Sequence, residues 1–197
     1  MIDETAGEAW QAPFYELYVQ FGGHTPEQII AALERLWQDA TVSGPYPRRD
    51  IRFVEQSLAA PAAGFDPTGD SPTHLYGMAR LPDDSSVVCA SVAHVRATGD
   101  DDGLTFYVPW GSLERLGRDF EQNSAKDSAW WSSLDAWLAG LGRSIFDAAP
   151  FEVAAVGPEW LTWEAAGEVR RGHLAELDSP PGLLLPADGQ LSWIPMH

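Results

Sequence analysis

Cations are scarce in this sequence. Eleven arginines and a single lysine, Lys126, stand against 29 aspartates and glutamates in 197 residues, for a formal net charge of −17. A field of that sign repels phosphate backbones and anionic lipid headgroups, which sets aside sequence-general nucleic-acid binding. Sulfur is scarcer still. Cys89 is the only cysteine, so no internal disulfide can form and the chain is not a disulfide-stapled scaffold. No apolar run reaches the roughly 18 residues that a membrane-spanning helix requires, so no membrane segment is expected. The opening MIDETAGEAW is acidic and polar, without the basic and then apolar order of a secretory leader. With the unpaired thiol, this fits a reducing, cytoplasmic location.

The usual chemical signatures are missing as well. There is no G-x-x-x-x-G-K-[ST], no G-x-G-x-x-G after a strand, no H-E-x-x-H and no G-x-S-x-G. Of the five histidines, only His94 lies close to Cys89, and five residues along a strand put the two on opposite faces. Cys89 sits among valines and alanines, where a thiol packs and does not react. His94, near a strand end beside Arg96, lacks a neighbouring Ser, Cys or carboxylate that would complete a catalytic pair. Asp100, Asp101 and Asp102 are consecutive, whereas calcium loops space their ligands, so this run reads as a hairpin turn. No metal, no cofactor and no catalytic residue is expected.

What the chain has is apolar and aromatic residues, 45% hydrophobic overall with nine tryptophans, enough to bury the core of one domain over 1–197. A flexible N-terminus (1–11) and a Pro/Gly/Ala-rich loop (57–73) are expected at its margins. FYELYVQF (14–21) alternates as a half-buried strand with Tyr15, Leu17, Val19 and Phe21 inward. Thr25, Pro26 and Gln28 then open a helix as N-cap, first residue and capping-box partner, followed by Ile29, Ile30, Leu33, Leu36, Trp37 and Ala40 at helical spacing. TVSGPYPRRD reads as a loop and IRFVEQ as a short strand. HLYGMARL, SVVCASVAHVRA and LTFYVP form a meander, and WGSLERLGRDF a short helix capped by Ser112. FEVAAV is a strand, PEWLTWEAAGEV a helix candidate, GHLAEL a short strand, and GLLLPADGQLSWIPM a pair of strands about Asp188-Gly189. The pattern predicts an α+β fold, a mostly antiparallel sheet of about five to seven strands with two main helices packed on one face.

SAWWSSLDAWLAGLGRSIF (128–146) holds three tryptophans. Trp130, Leu134, Trp137, Leu138, Leu141 and Ile145 share one helical stripe and predict the buried side, with Asp135 facing away and Trp131 at the margin. Trp131 joins Trp110, Trp160 and Trp163, all in boundary segments, as candidate binding anchors. Glu152 and Glu159 join them as carboxylates in apolar settings, where desolvation raises a pKa, and His94 as a candidate for a pocket. Excess acid around aromatic anchors suits a basic protein surface, because charge steers the encounter and buried aromatics carry the binding energy. The leading expectation is a non-enzymatic acidic protein-binding module, such as an inhibitor or an immunity-type protein of a bacterial toxin system. The alternatives are a small-ligand-binding protein or hydrolase-type enzyme with an aromatic-lined pocket, and an assembly component that forms a homo-oligomer.

Overall fold

A computed structural model describes residues 3–22, 25–62, 73–94, 102–118, 128–173, 181–187 and 189–195, except for the side chains of Thr73 and His94. In chain order the elements are β1 (Phe14–Gln20), α1 (Pro26–Trp37), β2 (Val42–Tyr46), β3 (Thr73–Arg80), β4 (Ser86–His94), β5 (Gly103–Pro109), α2 (Trp110–Glu114), α3 (Ser128–Ala148), β6 (Val153–Pro158), α4 (Glu159–Arg171), β7 (Gly182–Ala187) and β8 (Gln190–Ile194). The strands form one sheet in the order β2-β3-β4-β5-β1-β6-β7-β8, antiparallel throughout. The fold is α+β as the patterning predicts, with eight strands and four helices among the described residues.

Central position explains β1. Lying between β5 and β6, it is buried on both faces rather than on one. Tyr15, Leu17 and Val19 point to the inner face, into a core shared with Ile29, Leu33 and Leu36 of α1 and Leu134, Leu138 and Ile145 of α3. Phe14, Glu16 and Tyr18 point to the outer face, where α4 packs on β1 and β6. Helices therefore cover both faces, in place of the single covered face expected. The inner set is the one that the alternation in 14–21 predicts, and the outer set is buried as well because α4 covers it.

The capping box at the start of α1 is present. Thr25 N donates to Gln28 Oε1 at 2.9 Å, and Pro26 occupies the first turn. Trp37 closes the same helix against backbone that has no side chain: a Cβ on Gly77 would lie 2.6 Å from Trp37 Cζ3 and 2.3 Å from the Ser43 carbonyl oxygen. That close approach holds β2 on the edge of the sheet. β2 contains Gly44 and Pro45, which read as loop residues but are tolerated on an edge strand. Conversely, the strand expected at IRFVEQ is a 3-10 turn, Phe53–Glu55, with Phe53 buried against Tyr46. Ser112 does not cap α2, whose N-cap is Pro109. Its hydroxyl instead accepts from Val88 N at 3.3 Å.

α3 is rotated from the expected stripe. Its buried residues are Trp131, Leu134, Asp135, Leu138, Ala139, Leu141, Gly142 and Ile145, so Trp131 and Asp135 face the core. Trp130 and Trp137 lie at the edges, their indole N–H groups donating to Asp83 Oδ2 (2.7 Å) and Thr41 Oγ1 (3.0 Å). Asp135 is accommodated because Tyr15 donates its hydroxyl to Oδ1 at 2.5 Å. That partner is 120 positions away, so no local pattern marks it.

Within the stretch expected to be flexible, residues 7–10 form a 3-10 turn with Ala9 and Trp10 buried, and Trp10 Nε1 donates to the Glu4 carbonyl at 2.7 Å. The loop expected over 57–73 is described only to residue 62, and most of the GHLAEL segment, the Asp100-Asp101 pair and residue 188 also lie outside the described residues. Asp102 is buried at the start of β5, and its carbonyl accepts from Phe21 N at 3.2 Å. No helix among the described residues is long and apolar enough to cross a membrane.

Candidate functional site

The outer face of the sheet is only partly covered. α4 lies over β1 and β6, the N-terminal turn packs near β4 and α2, and between them a cavity of about 410 Å³ opens over β3, β4, β5 and β1. Register explains its floor. Tyr76, Ala90, Tyr107 and Glu16 lie side by side across the four strands, and His74, Val92, Thr105 and Tyr18 form the next row. The short residues in the middle leave space between the large ones at either side. Glu159 and Trp163 of α4 wall one end, and Arg49, from the β2–β3 connection, closes on the other. Strands pack about 4.8 Å apart, so the β3 and β1 sides of the cavity are separated by roughly 14 Å.

The two ends differ in charge. At the α4 end Glu16 is almost wholly buried. Burial pushes its carboxyl up, a hydrogen bond from Thr162 opposes this, and the neighbouring Glu159 charge adds to the rise, to about 7. The Thr162 hydroxyl is set to donate to both the Glu16 carboxyl and the Glu159 carbonyl, the latter 3.1 Å away, and its one proton is shared between them. At the other end burial and the nearby Arg49 guanidinium hold the His74 imidazole below its usual value, so it is neutral at pH 7. Burial also raises the phenols of Tyr76 and Tyr107. Between the ends, Thr105 is 5% exposed and its hydroxyl has no hydrogen-bond partner among the described residues, an arrangement that usually costs about 1–3 kcal/mol and calls for an explanation.

The candidates read from sequence separate into groups. Glu159 and Trp163 line this cavity. Trp160, one turn earlier on α4, does not line it; it is 51% exposed with its ring 6.0 Å from Trp110. Trp110 and Trp131 are buried, and Trp131 packs against Tyr15, Trp110 and Trp130 with ring centroids at 5.2, 6.1 and 5.0 Å, so neither presents a surface anchor. Glu152 is exposed and paired with Arg170 at 3.3 Å, away from the cavity. The side chain of His94 lies outside the described residues. Cys89 is fully enclosed, and burial raises its thiol, as expected of packing.

Sequence reasoning missed Glu16, Arg49, His74, Tyr76 and Tyr107. Glu16 carried a usable signal: it is the one charged residue in FYELYVQF, between Phe14 and Tyr18 on the same face. Arg49 sits in a stretch with no period, and only the fold brings it to β3. A second cavity, about 540 Å³, lies between β2 and the N-terminal segment. It is mainly apolar, and the lining Glu4 carboxyl there accepts from Phe53 N at 3.2 Å. No group of three or more His, Cys, Asp or Glu side chains suited to a metal ion occurs among the described residues.

The chain matches no protein-family profile, no curated protein and no solved structure, so what the outer-face cavity does follows from its chemistry alone.

Proposed function

We propose that this protein is a non-enzymatic binding module that docks a basic protein partner on its outer face, in the manner of an inhibitor or immunity-type protein. One observation carries the reading: Trp163, 46% exposed, lines a cavity together with Glu16 and Glu159, and Trp160, 51% exposed, precedes it by one turn of α4. Half-exposed tryptophans are residues that hot spots favour, and the formal charge of −17 favours the approach of a cationic partner. The test is purification from the native host at low salt with wild type and a Trp160→Ala/Trp163→Ala variant in parallel. A basic protein retained by wild type, lost from the variant and released before about 1 M salt supports the reading. No such protein, or one held equally by both forms, removes it.

A second reading rests on the cavity itself, whose volume falls within the range of small-ligand sites. Glu16 and Glu159 place two carboxyl groups in it, one able to hold a proton near neutrality, which is the equipment of acid–base hydrolysis. Among the described residues no serine or cysteine lines the cavity, and the Thr105 hydroxyl is bonded to no base, so the carboxyl pair carries this reading. Turnover of aryl glycosides or esters that disappears in Glu16→Gln supports this reading, and no turnover across such a panel counts against it. For the homo-oligomer alternative, the mass measured by light scattering decides.

A further inference from the structure

We infer that the α4 end of the outer-face cavity receives one basic side chain, an arginine or lysine of the partner, between the rings of Phe14, Tyr107 and Trp163 with Glu16 and Glu159 as its counter-charges. This rests on the docking reading above and specifies what the partner must present. Two acidic groups in one cavity are not by themselves a cation site. Here they are set among aromatic faces, and the negative face of a ring attracts a cation, most strongly when water is excluded. Phe14 and Tyr107 lie 4.5 Å apart by ring centroid, and Trp163 is stacked on Tyr18 at 5.2 Å, so the rings are held in place before anything binds. The unpartnered, buried Thr105 hydroxyl in the floor is a second mark of an incomplete site. Arg49 does not neutralise the acidic end: its charge acts on His74, Tyr76 and Tyr107, whereas the charge that acts on Glu16 is that of Glu159. From there it is placed to meet a carbonyl or carboxylate of the same partner segment.

Entry of the cation has a proton consequence. The groups facing Glu16 are Glu159 and Thr162 from α4 and Tyr107 from β5, with Arg49 and His74 at the far end of the cavity. With no cation beside it, Glu16 holds its proton up to about pH 7. A neighbouring cation favours the ionised form, so binding expels the proton, and affinity rises with pH through 7 before levelling.

The probe is a blocked tripeptide, acetyl-Gly-Arg-Gly-amide, against its citrulline counterpart, which keeps the shape and lacks the charge. Binding is followed by calorimetry at low salt. The arginine peptide is expected to bind at least about tenfold more tightly than the citrulline peptide, and about tenfold more tightly at pH 8 than at pH 6, with proton release seen as a buffer-dependent heat. Glu16→Gln should abolish the pH dependence, Trp163→Ala should weaken binding, and Glu152→Gln, outside the cavity, should change nothing. Equal binding of the two peptides, or no binding of either to the folded wild-type protein, overturns the inference. A protein partner still lost from the Trp160/Trp163 variant would leave the docking reading standing in that case. Binding of n-butylguanidine with exclusion of the tripeptide marks a site for a small-molecule cation and overturns the side-chain assignment.

Discussion

Tyr15 and Glu16 are neighbours in the chain and inhabit different proteins, in effect. Tyr15 faces inward and donates to Asp135 of α3 in a core packed on all sides, while Glu16 faces outward and meets Thr162 of α4 at the wall of an open cavity. Each face buries a carboxyl group against a hydroxyl. Only the outer one leaves that group next to space a ligand can enter. The inner face is thus closed packing, and the outer face is where we propose that binding occurs.

Substitutions that break this division should show the largest effects on the inner side. Trp131→Ala, removing a ring that is 3% exposed, should cost about 3–5 kcal/mol by urea denaturation. A cost below about 1 kcal/mol would mean that Trp131 is not packed as described.

Acidity tests both faces together. Burial pushes Asp135 up from an ordinary 3.8 to about 6, against the hydrogen bond from Tyr15, and Glu16 from 4.5 to about 7. Both acids bind protons more tightly folded than unfolded. Their stabilising effect is complete below the unfolded values and is lost as pH rises through the folded ones. Stability should therefore fall between about pH 4 and 7, by about 3 kcal/mol for each group at roughly 1.4 kcal/mol per unit. Asp135→Asn should flatten the lower part of that window and Glu16→Gln the upper part. A profile that rises with pH over the whole range would contradict the assignment. Asp83 runs the other way at the acid limit. Partial burial opposes the shift, but hydrogen bonds from Ser85, Trp130 and Arg118 hold its carboxyl down to about 2. What it contributes is present above 3.8 and lost as pH falls toward 2.

Tyr15→Phe sharpens the comparison by removing one hydroxyl. Asp135 would keep its burial without its donor, at a cost of about 1–3 kcal/mol. Because the remaining carboxyl is then easier to protonate, the loss should be smaller at pH 5 than at pH 8. The smallest effect belongs to the outer surface. Trp160→Ala should change stability by no more than about 0.5 kcal/mol while weakening partner retention, and a large destabilisation would assign the residue to structure.

Local chemistry made much of this legible. The helix after Thr25 announced itself through its cap, its proline and its period, and the β3–β4–β5 meander through turns between apolar runs. The outer face was harder: the alternation in β1 marks its inner side, but nothing local shows that the other side is buried too, under α4, and β6 is apolar on both sides. Trp160 and Trp163 could be singled out by their boundary position, whereas Trp131 could not be separated from them until α3 was placed against β1.

Composition and period determined the acidic field, the α+β class and the elements of strongest periodicity, because these depend on residues close together in the chain or on none in particular. Tertiary structure alone decided that Glu16, Tyr107, Tyr76 and Arg49 share a cavity and that Asp135 has Tyr15 to hold. Those relations depend on strand order and register, which join residues tens to more than a hundred positions apart and leave no mark on either neighbourhood.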